Sequence, residues 1–84
     1  MKIKDVVGID MSKLTFDARL HRNQAYKEFE NTKEGFAKCL EWTYKNSEFK
    51  KENILFSFEH TGLYSHLLAL FLTKKRYHSV CFLA

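Results

Sequence analysis

The sequence predicts an α/β domain on a mixed five-stranded sheet of order 3-2-1-4-5, and three observations lead there. Val6 to Ile9 is a continuously apolar run, as expected of a central strand covered on both faces. Two further strand-like segments follow around the polar turn Arg22-Asn23-Gln24, which gives an antiparallel meander. After them, two segments of helical spacing alternate with apolar strands, the pattern of parallel additions to a sheet.

Each element has its own signal. In the second strand Leu14, Phe16, Ala18 and Leu20 alternate with Thr15, Asp17, Arg19 and His21, the period of a half-buried strand. Ala25 to Glu30 reads as the third strand. Asn31 can cap the first helix, with Glu34 three residues on completing a pair like a capping box. Phe36, Cys39, Leu40 and Thr43 then share a helical face, with Tyr44 at its margin, and the helix ends near Lys45-Asn46-Ser47. Ile54 to Phe58 is the fourth strand, which a right-handed crossover returns beside the first. Thr61 caps a second helix from about Gly62 to Lys75. Its apolar residues, Leu63, Tyr64, Leu67, Leu68, Leu70, Phe71 and Leu72, cover more than one face, which predicts a second contact beyond the sheet. Val80 to Leu83 reads as a buried fifth strand. The order strand, strand, strand, helix, strand, helix, strand is the start of a ribonuclease H-like architecture.

At 84 residues, the chain has room for one small domain. Its 45% hydrophobic content, with eight Phe, four Tyr and one Trp, argues against disorder. Lys and Arg number 14 against 10 Asp and Glu, a net charge of +4 that suits an anionic partner without requiring one. The small basic clusters Lys50-Lys51 and Lys74-Lys75-Arg76 read more readily as solvated helix and loop ends than as a binding surface. Cys39 and Cys81 lack metal-ligand spacing, and Cys39 falls on the core face of a helix. No signal-peptide pattern opens the chain, and the apolar stretch around Leu67 to Leu72 is too short to span a bilayer. A cytoplasmic protein with no membrane association is the expectation. Because the chain stops on an apolar strand, residues 1–84 are expected to be the first, incomplete part of a longer protein.

The chemistry is concentrated in two carboxylates. Val6, Gly8 and Asp10 share one face of the first strand, and Leu55, Ser57 and Glu59 share one face of the fourth. If these strands are parallel neighbours, their carboxyl ends lie roughly 5 Å apart, and ligand sites in such sheets gather there. Asp10 and Glu59 can then converge on a hard cation. Magnesium takes one or two carboxylates and completes its shell with water and phosphate oxygens, and a pair of such ions serves phosphodiester cleavage. The small residues Gly8 and Ser57 leave room on the same face for another helix to approach. Thr61 opens a helix whose N-terminus favours anions, and Lys13 stands where it could meet a phosphate. Against this, an Asp after an apolar strand is commonly a turn residue, and a Glu before a helix is commonly a first-turn charge. His60 adjoins Glu59, but histidine is not the usual magnesium ligand. Trp42 lies off the apolar face of its helix, as a margin or an interface residue.

At these residues the chain resembles the DEDD-type transposases of bacterial insertion sequences, recombinases with an N-terminal domain of Holliday-junction-resolvase fold. Three segments carry the resemblance across nearly the whole chain: Gly8-Ile9-Asp10-Met11-Ser12-Lys13, then Phe29-Glu30-Asn31-Thr32 with Gly35-Phe36, and Glu59-His60-Thr61-Gly62-Leu63-Tyr64. The ending Phe82-Leu83-Ala84 has no match in that pattern. The resemblance implies that Asp10 and Glu59 are the first two of four acids that bind Mg2+ and catalyse DNA strand transfer. The other two, and a serine implicated in strand exchange, would lie beyond residue 84. It also implies DNA as substrate and an RNA guide made from the element's own ends. This fragment alone would be inactive, and its broadly apolar second helix and open final strand favour self-association. Two alternatives compete. An actin-like phosphotransferase or ATPase also opens with an apolar strand and Gly-Ile-Asp, but prefers a small Gly-Thr pair where this chain has Ser12-Lys13. A non-catalytic module binding protein or nucleic acid would use the apolar helix and basic balance without chemistry.

Overall fold

A computed structural model describes residues 2–59 and 63–82. Strands β1 (Asp5–Met11), β2 (Thr15–Leu20) and β3 (Tyr26–Glu30) are followed by helix α1 (Lys33–Asn46), a 3-10 turn at Lys51–Asn53 and strand β4 (Ile54–Glu59). Helix α2 (Leu63–Lys74) and strand β5 (His78–Phe82) complete the order. The five strands form one sheet in the order β3-β2-β1-β4-β5. β1 pairs antiparallel with β2 and parallel with β4, and β5 joins β4 in parallel. The mixed α/β fold and the strand order expected from the sequence are therefore present.

Both helices lie on one face of the sheet. Val7, Ile9 and Met11 of β1, Phe16, Ala18 and Leu20 of β2, Phe29 of β3, and Ile54, Phe56 and Phe58 of β4 point into that layer and are buried. Phe36 and Cys39 of α1 and Leu68 and Leu72 of α2 close over them. A ladder of aromatic rings knits the layer together: Phe29 meets Phe16 at 5.5 Å, Phe16 meets Phe36 at 5.8 Å, and Phe36 meets Phe71 of α2 at 5.5 Å. Such pairs each add about 0.5–1.5 kcal/mol beyond their buried area. Trp42 packs edge-on against Phe29 at 5.7 Å, so it is a margin residue of the core.

The chain enters α1 through a cap and a close contact. Thr32, in extended conformation, accepts a hydrogen bond from the Gly35 amide at 3.1 Å, which stabilises the first turn by about 1 kcal/mol. The expected cap, Asn31, lies one residue too early, and its side chain is engaged elsewhere. A Cβ on Gly35 would stand 1.8 Å from the Glu30 carbonyl oxygen and 2.7 Å from its carbon. Only glycine lets the first turn of α1 come this close to the end of β3.

Several expectations change at the boundaries. β1 extends two residues past Ile9, so Asp10 belongs to the strand and is not a turn residue after it. It is covered on one face only: Gly8 and Asp10 are exposed, and no helix among the described residues lies over them. The apolar run Val6-Val7 reflects a half-buried Val6 beside the sheet's centre, not a second helical layer. Leu14 is 75% exposed because the chain turns at Ser12-Lys13-Leu14 before β2 begins, which takes it off the alternating pattern. β5 runs from His78 at the edge of the sheet, where the expected order puts it, but it is not buried; Val80 and Phe82 are 43% and 49% exposed. On α1, Tyr44 is exposed, whereas Leu40 is half-buried. The breadth of apolar surface on α2 is real, with Leu67 and Leu70 more than half exposed beside Phe36 and Phe71 in a groove between the helices. No helix among the described residues is long and apolar enough to cross a membrane. The Thr61 cap, His60, Gly62 and the last two residues lie outside the described residues.

Gly35 and Gly8 make opposite predictions. Gly35→Ala should cost about 3 kcal/mol or more, because a backbone carbonyl blocks the new methyl. At Gly8 the nearest atom to an added Cβ is the Arg19 carbonyl oxygen at 4.0 Å. Gly8→Ala should therefore remain within about 1 kcal/mol of wild type, on the stabilising side. Urea denaturation of the two variants separates these outcomes.

Candidate functional site

The bare face of the sheet carries the predicted acids. β1 and β4 run in parallel, with Gly8 beside Ser57 and Ile9 beside Phe58. One more step along this register sets Asp10 beside Glu59, on the same face, at the carboxyl ends of both strands. Asp10 is exposed and Glu59 is half-buried. The structure thus brings the two predicted acids together on neighbouring central strands.

It also adds two that the sequence reading passed over. Across the hairpin, Asp10 stands opposite Asp17, and Asp17 stands opposite Glu28 of β3. Glu28, Asp17, Asp10 and Glu59 therefore form one row across four adjacent strands. The signal for Asp17 was in the sequence: Asp10 and Asp17 are equidistant from the Lys13-Leu14 turn, so a tight hairpin must face them. Like charges opposed in a sheet repel. None of the four acids forms an ion pair among the described residues, where the Lys45–Glu41 bridge of α1 is the pair present. The row is a concentration of negative charge that an approaching cation would relieve.

One row away lies a different surface. Tyr26, Arg19, Gly8, Ser57 and Val80 stand side by side in the register of the five strands. Arg19 stacks over the Tyr26 ring at 5.0 Å, toward the β3 edge of the sheet. Partial desolvation, then the hydrogen bond and charge of Asp17, raise the Tyr26 phenol above its ordinary range. Between the two rows is a shallow hollow of about 380 Å³, lined by Gly8, Asp10, Asp17, Arg19, Tyr26, Ser57 and Phe82. Gly8 and Ser57 supply its floor because neither carries a side chain long enough to fill it.

The donor chemistry is that of a hard cation: carboxylates, with no thiolate or imidazole in the row. Among the described residues, no group of three or more His, Cys, Asp or Glu side chains is placed to hold a metal ion. The row offers ligands in adjacent pairs, and a pair is what magnesium commonly takes from a protein. Lys13 is exposed in the turn beyond Asp10, in keeping with either a phosphate contact or a plain turn lysine. Thr61 lies outside the described residues.

The chain just beyond each acid is fastened by Asn31. Its carboxamide nitrogen donates to the Ser12 carbonyl at 3.0 Å and to the Tyr64 carbonyl at 3.1 Å, with the Lys13 carbonyl at 3.4 Å. Ser12 Oγ also donates to the Thr15 carbonyl at 2.8 Å, closing the turn. At the opposite end of β1, Asp5 is buried and accepts from the amides of Val6 (2.9 Å) and Arg22 (3.2 Å) and from Ser47 Oγ (3.2 Å). Asp5 is a structural carboxylate that joins β1 to the β2–β3 turn and to the end of α1.

Cys39 is excluded as a nucleophile. Burial pushes its thiol up to about 12, against a weaker lowering by its contact with Thr43. Thiolate is the reactive form, so this side chain is inert near neutral pH.

Comparison with family models and with curated proteins gave no match to this chain.

The crowding of the acid row has a direct consequence for stability. Asp17→Asn removes the central neighbour of Asp10 without changing shape, and should stabilise the chain by about 0.2–1 kcal/mol in chelator. Added magnesium should narrow the gap between wild type and variant. Thermal melts with and without the ion read both effects. An Asp17→Asn chain that melts lower than wild type in chelator would show that the row is not repulsive.

Proposed function

We propose that residues 1–84 form the N-terminal part of a ribonuclease H-like catalytic domain in a DEDD-type DNA transposase or recombinase. Asp10 and Glu59 are its first two magnesium ligands. One observation carries this reading: acids from the two central parallel strands meet at their carboxyl ends, on a face left bare of helices. The resemblance of the three sequence segments supports it, as do the strand order and the hollow beside the acids.

In this reading Asp10 and Glu59 would hold a magnesium ion, which would supply Lewis-acid activation of the scissile phosphate and of the attacking water or hydroxyl. Asp10 and Glu59 supply negative oxygen ligands and fix the ion relative to the sheet. Gly8 and Ser57 keep the adjoining surface low, so that a further element carrying more acids can approach. Lys13, in the turn after β1, would meet the DNA phosphates, and Thr61 is assigned the same role from the sequence. The substrate is DNA, and an RNA guide selects it, by family resemblance.

The test uses the full reading frame that contains this chain. Asp10→Asn and Glu59→Gln should each lower magnesium-dependent strand cleavage by about two orders of magnitude or more, with the melting temperature and nucleic-acid binding kept. Full cleavage by a well-folded Asp10→Asn protein overturns the assignment. The 84-residue chain alone should bind magnesium weakly and leave DNA intact, since it provides only part of the coordination set.

Self-association is the second part of the proposal, supported by Leu67 and Leu70 on α2 and by Val80 and Phe82 on β5. Sedimentation of the chain at high micromolar concentration should reveal dimers or larger species. A strictly monomeric profile removes this part.

A further inference from the structure

The parallel ladder between β1 and β4 holds Gly8 to Ser57 and Ile9 to Phe58, and its register ends there. The acids stand one residue further on. β1 runs on to Met11 and the Ser12–Leu14 turn, and α2 begins at Leu63. On its other side each acid is held in a ladder of its own, Asp10 against Asp17 and Glu59 against Phe82, so what the β1–β4 ladder leaves unfixed is the spacing between the two acids.

We propose that Asn31 is the positioning residue of the Asp10–Glu59 pair, clamping together the segments that leave each acid. The inference rests on the magnesium reading of that pair. Asn31 comes from a third segment, the β3–α1 junction, and its hydrogen bonds among the described residues go to backbone carbonyls, not to either acid. Its backbone amide donates to the Leu14 carbonyl at 2.8 Å, so the residue is itself sewn to the turn after β1. Its carboxamide nitrogen then spans from the Ser12 carbonyl, two residues past Asp10, to the Tyr64 carbonyl, five residues past Glu59. The orientation of the amide is dictated by its surroundings. Three carbonyl oxygens face one end of it, and only the NH2 group can satisfy them. The opposite end, Oδ1, is buried and has no partner among the described residues. A buried polar atom in that state is costly, so the arrangement persists because the nitrogen's bonds outweigh it. Asparagine is the residue for this task because its two N–H bonds diverge from one atom and can hold two strands of backbone at once.

The consequence for the site is geometric. Magnesium requires near-ideal octahedral geometry at about 2.0–2.1 Å from its ligands, and groups that hold ligands in place affect affinity by about 10–100-fold. Releasing the turn from the helix would let the two carboxylates drift apart without removing either.

The experiment titrates the chain with Mn2+, a paramagnetic stand-in for magnesium, and follows broadening of the backbone amide signals of residues 8–11 and 56–59. Asn31→Ala should weaken binding about tenfold and speed amide hydrogen exchange at both Ser12–Leu14 and Tyr64–His66. Asn31→Ser keeps a polar side chain at the helix entry, yet is too short to span both carbonyls, and should behave alike if the alanine variant folds poorly. The matched control is Asn53→Ala, which removes a bond of the same kind at the other end of the strands, from Asn53 Nδ2 to the Lys2 carbonyl at 2.7 Å. It should leave Mn2+ binding unchanged. Asp10→Asn calibrates the site. If wild-type binding is indifferent to Asp10→Asn, the magnesium reading falls, and the role of Asn31 with it. If Asp10→Asn abolishes binding while both Asn31 variants bind as wild type, the role of Asn31 alone is overturned. An equal loss in Asn53→Ala also overturns it, because the effect is then general loosening.

Discussion

The pairing of β1 with β4 is the contact on which the rest of this molecule depends. It is the longest-range pairing in the sheet, and the segment between the two strands must fold around it. A parallel neighbour cannot be reached by a hairpin, so the chain needs a crossover. Helix α1 supplies that crossover, and its length and buried face follow from having to cover β1 and β2 on the way. Once β4 is seated, α2 repeats the move and lays β5 alongside. The aromatic ladder from Phe29 through Phe16 and Phe36 to Phe71 ties the early hairpin to both later crossovers.

The same pairing determines what is left uncovered. With both helices on one face, the other displays every second residue of five strands to solvent. Side chains that the alternation of β2 marks as merely polar, Asp17 and Arg19, become neighbours of Gly8 and Asp10. The acid row and the hollow beside it are products of register, not of any one segment. A slip of one residue in β4 would bury Ser57 and Glu59 and turn Phe56 and Phe58 to water, so the core itself guards the alignment of the site.

Much of this was legible in the residues. Period-two alternation in β2, helical spacing in α1 and the strand–helix–strand alternation after Asn31 carry enough information to give the strand order. Asp10 and Glu59 could be paired because both follow apolar strands and share the parity of small residues. What could not be read depends on contacts between segments. The choice of Thr32 over Asn31 as the cap turns on where Asn31's amide finds its acceptors, thirty-odd residues away at Tyr64. The burial of Asp5 depends on Ser47. Leu14 has the apolar character of a core residue, but its exposure is decided by where the turn before β2 ends. Val80 and Phe82 are apolar yet exposed because an edge strand with no neighbour beyond it among the described residues leaves their side chains uncovered.

The two outer strands differ in a way that bears on growth of the sheet. β3 presents Tyr26, Lys27, Glu28 and Glu30 along its exposed length, with Phe29 the buried residue of its five. Charges of both signs there discourage a foreign strand from docking. β5 exposes Val80 and Phe82 and has no Lys, Arg, Asp or Glu. One margin therefore resists a further strand and the other carries no charge to do so. A strand added to this sheet meets less opposition beside β5, where it would extend the fold on the flank nearest Glu59.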